Sequence, residues 1–182
     1  MPYNPKILVL GGCRSGKSGY ALQLAESIGE TRIFVATCVP RDEEMQQRVD
    51  RHREERDNRW TTLEVPLRLA DAIRTHSPSS EVMLVDCLTL WLSNLLMETA
   101  AVDRIRDSIA DLAEAVRSAP NPVILVSNEV GAGIVPENRL ARKYRDLAGW
   151  TNQAMAAACD RVVWTVAGIP VTIKPAISPN DP

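Results

Sequence analysis

The chain has 182 residues, 45% hydrophobic and 24% charged, with 21 basic against 23 acidic side chains and a formal net charge of -2. That length fits one hydrophobic core, and the near balance of charge excludes a global field that would draw nucleic acid or an anionic membrane. No apolar run approaches the roughly 20 residues that span a bilayer, and the first residues lack a signal peptide's charged and apolar regions. A cytoplasmic chain without a transmembrane segment and without a nucleic-acid partner is expected.

In chain order, residues 6–10 form a continuous apolar run that reads as a buried strand, cut off by Gly11 and Gly12. Tyr20, Ala21, Leu24, Ala25 and Ile28 recur at helical spacing over residues 18–28, and Gly29 suits a helix end. Residues 32–37 predict a strand, 43–56 a polar helix, 60–65 an alternating strand and 67–76 a short helix. After a turn at 77–80, residues 82–85 predict a core strand that ends in Asp86. Two helices follow over 88–97 and 103–116, then a strand over 123–127 and a glycine-bearing loop over 128–136. A long helix over 138–159 and strands at 162–166 and 171–173 complete the pattern. Residues 1–175 are expected to form one nucleotide-binding catalytic domain, and 176–182 a disordered tail.

Strands alternating with helices predict an α/β fold of three layers, a mostly parallel sheet covered on both faces. Ligands in such sheets bind at the carboxyl ends of the strands. Three stretches leave strands at that edge: residues 11–18, Asp86, and residues 128–133.

Four cysteines, Cys13, Cys38, Cys87 and Cys159, are scattered without a Cys-x-x-Cys pair, the usage of reduced thiols. The two histidines, His52 and His76, are too few for a histidine-rich metal site.

Gly11, Gly12, Cys13, Arg14, Ser15, Gly16, Lys17 and Ser18 fit G-x-x-x-x-G-K-[ST], placed between a predicted strand and a predicted helix. Glycines let successive backbone N–H groups curl towards phosphate oxygens, and the helix that follows adds its positive end. Lys17 is expected to reach the β- and γ-phosphates, with the Ser18 hydroxyl on Mg²⁺. Asp86, at the end of an apolar strand, is the expected acidic partner for that ion. A nucleoside triphosphate is therefore the expected ligand.

Arg48, Arg51, His52, Arg53 and Arg56 cluster in one polar segment. Two readings stand: a solvated helix face, or arginines gathered on triphosphate oxygens around an imidazole that attacks phosphorus.

The run from Asn128 through Glu129, Gly131, Gly133, Asn138, Arg139 and Arg142 to Arg145, Gly149, Asn152 and Gln153 resembles the signature of one family. That family is the bifunctional adenosylcobinamide kinase / adenosylcobinamide-phosphate guanylyltransferase of cobalamin biosynthesis. The phosphate loop, the stretch from Asp42 through Met45 to His52 and Arg53, and residues 60–67 agree with it, so the resemblance spans about residues 6–174.

The resemblance implies a P-loop NTPase fold with a recombinase-type core and a homotrimer. It implies phosphorylation of adenosylcobinamide by ATP or GTP, then transfer of GMP from GTP through a histidine–GMP intermediate. The family histidine corresponds to His52; His76 has no counterpart and is read as a surface residue. The nucleotide contacts carried over are the phosphate loop, Ala36, Thr37, Cys38, Arg53, Glu54, Glu55, Arg56, Glu64 and Asp86. Three positions depart from the family pattern: Cys38 stands for serine, Asp57 for proline and Cys13 for alanine. Arg139, Arg142 and Glu129 receive no role. The rivals to this reading are a plain P-loop kinase without a histidine nucleophile, and a nucleotide-driven switch or motor of the same fold.

Overall fold

The computed structural model describes residues 4–40, 42–54 and 56–175, and the side chains at 44, 48 and 51–54 lie outside that description. The expected tail at 176–182 lies outside it as well. Seven strands form one sheet: β1 (Lys6–Gly11), β2 (Arg32–Ala36), β3 (Trp60–Glu64), β4 (Val82–Asp86), β5 (Val123–Asn128), β6 (Arg161–Val166) and β7 (Ile169–Lys174). Their order across the sheet is β3-β2-β4-β5-β1-β6-β7, with every neighbouring pair parallel except the antiparallel β6–β7. The central strands are aliphatic runs because both of their faces are covered; all of β1 is buried.

The helices are α1 (Lys17–Ile28), α2 (Glu43–Glu54), α3 (Leu69–His76), α4 (Leu88–Glu98), α5 (Val102–Ser118) and α6 (Arg139–Ala158). One face of the sheet meets α3, α4, α5 and α6 through a core that holds Leu8, Ile73, Trp91, Ile105, Leu112 and Met155. On the opposite face α1 contributes Ala21 and Ala25, which pack with Ile7, Val9, Leu84 and Val126. These layers are the α/β architecture that the alternation of elements predicts. The α5 helix shows the logic plainly, since Ile105, Ile109, Leu112 and Val116 recur at helical spacing and are buried.

The β6–β7 hairpin turns on Ala167 (φ 51°) and Gly168 (φ 82°). Two adjacent residues with positive φ suit the right-handed twist of a two-residue hairpin. That turn becomes part of the site, as described below. No described helix is long and apolar enough to cross a membrane.

Candidate nucleotide site

The registers align the site before any side chain is considered. Ala36 on β2 pairs with Glu64 on β3 and with Asp86 on β4, which places three expected contacts in one row at the carboxyl edge. Across β5, Gly11 pairs with Asn128 and with Thr165 on β6, so the phosphate loop leaves β1 beside both neighbouring strand ends.

The loop over residues 11–18 closes on itself. Lys17 Nζ donates to the Gly12 carbonyl at 3.1 Å, and the Ser15 N–H donates to the same oxygen at 3.3 Å. Arg14 (φ 55°) and Gly16 (φ 90°) adopt left-handed backbone, and α1 starts immediately after Gly16. The first backbone N–H groups of a helix have no partner within it, so this arrangement leaves donors and a positive dipole end at the loop. Cys13 and Arg14 are exposed there, while Lys17 and Ser18 are half-buried.

The loop's underside is fixed by β6 and the hairpin turn, which no motif in the sequence announces. Ser15 Oγ and Thr165 Oγ1 lie 2.9 Å apart, and the buried Thr165 hydroxyl reaches the Leu10 carbonyl at 3.0 Å. The Gly168 N–H donates to the Ser15 carbonyl at 3.0 Å. A Cβ at Gly11 would lie 2.3 Å from both hydroxyls and 2.8 Å from the Thr165 carbonyl, and one at Gly16 would meet Gly168 Cα at 3.1 Å. Ser15 therefore uses its side chain to anchor the loop.

Asp86 ends β4 half-buried, and the peptide that joins it to Cys87 is cis. Thr37 sits across from that peptide with no exposed surface. Its hydroxyl accepts from the Cys87 N–H at 2.8 Å and donates to the Cys87 carbonyl at 2.7 Å. The Thr37 hydroxyl thus holds the turn after Asp86 from both sides of Cys87 and keeps one acceptor lone pair. Asn94 ties the same edge together by donating to the Thr37 and Pro66 carbonyls at 2.8 and 3.0 Å. Burial and the neighbouring Asp86 charge push the Cys87 thiol up to about 11, partly opposed by a hydrogen bond with Thr89 and by Lys17.

Glu64 is exposed at the end of β3. Cys38 is half-buried in the loop that leads to α2, where Asp42 caps the helix by accepting from the Met45 N–H at 2.8 Å. The side chains of His52, Arg53 and Glu54, and residue Glu55, lie outside the described residues. Arg56 follows them with its guanidinium carbon 3.8 Å from the Phe34 ring centroid, a cation–π contact on the α1 side of the sheet. Among the described residues no group of three or more His, Cys, Asp or Glu forms a metal cluster. His76 is half-buried at the end of α3, away from the loop's strands.

The stretch after β5 borders the phosphate loop. The Glu129 N–H donates to the Gly11 carbonyl at 3.2 Å, and the Glu129 carboxylate accepts from the Gly131 N–H at 2.5 Å. Asn128 Nδ2 reaches Thr89 Oγ1 at 2.9 Å, and Asn152, from α6, holds the Ser127 hydroxyl and the Asn128 carbonyl. Asn138 caps α6 by accepting from the Ala141 N–H at 3.0 Å.

The family model described as cobinamide kinase / cobinamide phosphate guanyltransferase matches residues 7–173. The chain is 46% identical over 169 residues to the bifunctional adenosylcobalamin biosynthesis protein CobP of Pseudomonas aeruginosa, covering 92% of this chain and 96% of that one. It is 40% identical over 180 residues to the protein of that description named CobU in Escherichia coli, covering 92% and 99%. The CobU of Salmonella typhimurium is 41% identical over 180 residues, with the same coverage. Among solved structures, a KaiC-like protein from Pyrococcus horikoshii aligns with a TM-score of 0.51 at 15% identity, over 88% of this chain and 70% of that one. The RadB recombinase aligns at 0.50 and 16%, over 89% and 75%. These two likenesses show the fold, a P-loop NTPase core of the recombinase type.

Proposed function

Since this chain belongs to the cobinamide kinase / cobinamide phosphate guanyltransferase family, we propose that it carries out both reactions on adenosylcobinamide at the edge bordered by loop 11–18. The observation that carries the reading is the loop between β1 and α1, with Lys17 Nζ folded onto the Gly12 carbonyl and left-handed backbone at Arg14 and Gly16. In the kinase step the acceptor hydroxyl oxygen attacks the γ-phosphorus of ATP or GTP. The bond to the β,γ-bridging oxygen breaks, and the hydroxyl proton is released. Lys17 and the loop N–H groups offset charge on the phosphates.

In the second step a nitrogen of His52 attacks the α-phosphorus of GTP, and the bond to the α,β-bridging oxygen breaks to release pyrophosphate. An oxygen of the acceptor's phosphate then attacks the same phosphorus and the P–N bond breaks, restoring neutral imidazole and giving the GDP-linked product. Over the two transfers the ring neither gains nor loses a proton. Arg53 and Arg56 neighbour His52 in the chain and would offset charge on the oxygens of the transferring group.

The Ser18 hydroxyl and the half-buried Asp86 carboxylate are hard oxygen donors of the kind that suits Mg²⁺ beside phosphate oxygens. That ion, when bound, supplies charge neutralisation on the triphosphate. Ala36, Thr37, Cys38, Glu54, Glu55 and Glu64 are assigned to the nucleotide's surroundings on the strength of their motif positions. Residues 1–175 act as one catalytic unit in the cytoplasm, assembled as a homotrimer by likeness to the family.

The two reactions separate in an assay. Purified protein is given ATP or GTP with adenosylcobinamide, then GTP with adenosylcobinamide phosphate, and the corrinoid products are resolved by chromatography. Phosphorylated and GDP-linked corrinoid are the expected products. Phosphorylation alone would leave a plain kinase, and neither product would defeat the reading.

A further inference from the structure

We propose that Arg145 on α6 receives the phosphate of the phosphorylated acceptor in the second reaction. The inference rests on the two-step reading above and assigns the residue that distinguishes the two acceptors. One guanidinium nitrogen, Nη2, donates to the Gly131 carbonyl. The other, Nη1, is buried and has no hydrogen-bond partner among the described residues. Among the described residues no ion pair includes Arg145. A buried cationic donor left unpaired is destabilising, and a guanidinium does not relieve that cost by losing its proton. An anion is the partner that suits a cationic donor, and the described residues do not provide one.

Position decides which anion. Gly131 lies just beyond Glu129, whose N–H holds the first residue of the phosphate loop through the Gly11 carbonyl. The guanidinium therefore borders the loop without belonging to it. The nucleotide's phosphates already have Lys17 and the loop's own N–H groups. In the kinase step the acceptor brings a neutral hydroxyl; in the transfer step it brings a phosphate dianion that must approach the α-phosphorus. A cationic site beside the loop matches only the second need.

The Gly131 carbonyl is a weaker partner than the one proposed. A guanidinium fork on phosphate adds a second parallel bond and an opposite charge, neither of which a single neutral carbonyl supplies. Glu129 and Arg145 bracket the same glycine, one on its N–H and the other on its carbonyl. The following residues, 132–135, are exposed, with Ile134 96% accessible, and the hydrogen bonds that hold this stretch gather at its ends, through Glu129 and through Arg142 to the Pro136 and Glu137 carbonyls. Withdrawal of Gly131 from the guanidinium therefore disrupts little buried structure.

The same helix also offers an apolar surface. Ala141, one turn before Arg145, lines a groove of about 310 Å³ with Leu140, Tyr144 and, from α4, Leu96 and Met97.

The test compares KM values for the two acceptors in wild type, Arg145→Ala and Arg145→Lys at saturating nucleotide. The expected result for Arg145→Ala is a rise of about 10- to 100-fold in KM for adenosylcobinamide phosphate, the range for loss of a charged hydrogen bond. The rise for adenosylcobinamide is expected to stay below about threefold, since that acceptor carries no phosphate. Arg145→Lys keeps the charge and is expected to recover part of the loss, and inorganic phosphate should inhibit wild-type transfer more than that of Arg145→Ala. Equal rises for both acceptors, or no change for the phosphorylated one, would overturn the inference while leaving the two-step reading intact. A wild-type chain without guanylyl transfer would overturn both.

Discussion

Thr165→Val tests whether the hairpin strand builds the phosphate loop. The substitution keeps the side-chain shape and deletes one buried hydroxyl, which bonds the Ser15 hydroxyl at 2.9 Å and the Leu10 carbonyl at 3.0 Å. Each such neutral hydrogen bond contributes about 1 kcal/mol net, so the pair accounts for about 2 kcal/mol, with more where the Ser15 hydroxyl stays buried and unpaired. For a chain of this size that corresponds to a fall of about 4–8 °C in Tm. Ser15→Ala removes only the shared bond and is expected to cost about half as much. The double variant should therefore fall short of the sum of the singles by about 1 kcal/mol, the coupling that a shared hydrogen bond produces. Denaturant unfolding and GTP titration of all four proteins provide the cycle. Affinity for GTP should drop with Thr165→Val, because Ser15 and Gly16 lie within the loop it anchors. Additive effects on stability, or a Tm within about 1 °C of wild type for Thr165→Val, would refute the anchoring role.

Further consequences concern single groups. Lys17→Ala should abolish nucleotide use in both reactions, read as product formation in each; full retention of either contradicts the loop assignment. Thr37→Val removes both bonds to Cys87 and is expected to lower stability by about 2 kcal/mol in denaturant melts, and an unchanged midpoint would show that the Asp86–Cys87 turn holds without it. Burial pushes the Cys87 thiol up to about 11 and the Cys159 thiol up to about 12, both above their unfolded value near 9. The folded chain thus keeps protons that the unfolded chain gives up. Their stabilisation is complete below pH 9 and is lost as pH rises towards 11 and beyond, which unfolding midpoints across that range should show. Thiol-specific labelling of the folded protein near pH 8 should modify the exposed Cys13 and leave Cys87 and Cys159 until unfolding, with mass spectrometry as the readout.

The phosphate loop and Asp86 were legible because local spacing carries them. Gly11, Gly16 and Lys17 sit at fixed offsets between an apolar run and a helical pattern, and the structure places that loop at the sheet's carboxyl edge. Alternation of strands and helices likewise carried the layered fold. What joins Ser15 to Thr165 lies far along the chain, and a threonine in an apolar strand bears no mark of the loop beneath which it packs. The same holds for the bonds by which the Thr37 hydroxyl holds both sides of Cys87, fifty residues along the chain. The burial of Arg32 was equally invisible, since a charged residue opening a strand reads as exposed. In the fold it donates to the Gly29 and Glu26 carbonyls and faces the Trp60 ring. Arg145 stood in the signature run as one basic residue among several, and only its place beneath Gly131 singles it out.

The most direct test of the account is a pair of incubations of the pure protein with GTP and Mg²⁺, one labelled on the α-phosphate and the other on the γ-phosphate, followed by denaturation. Retained α-label that is acid-labile, alkali-stable and absent from His52→Ala is the predicted result, with no γ-label kept. Loss of both labels from a protein that still binds GTP, or α-label that survives in His52→Ala, would contradict transfer through His52.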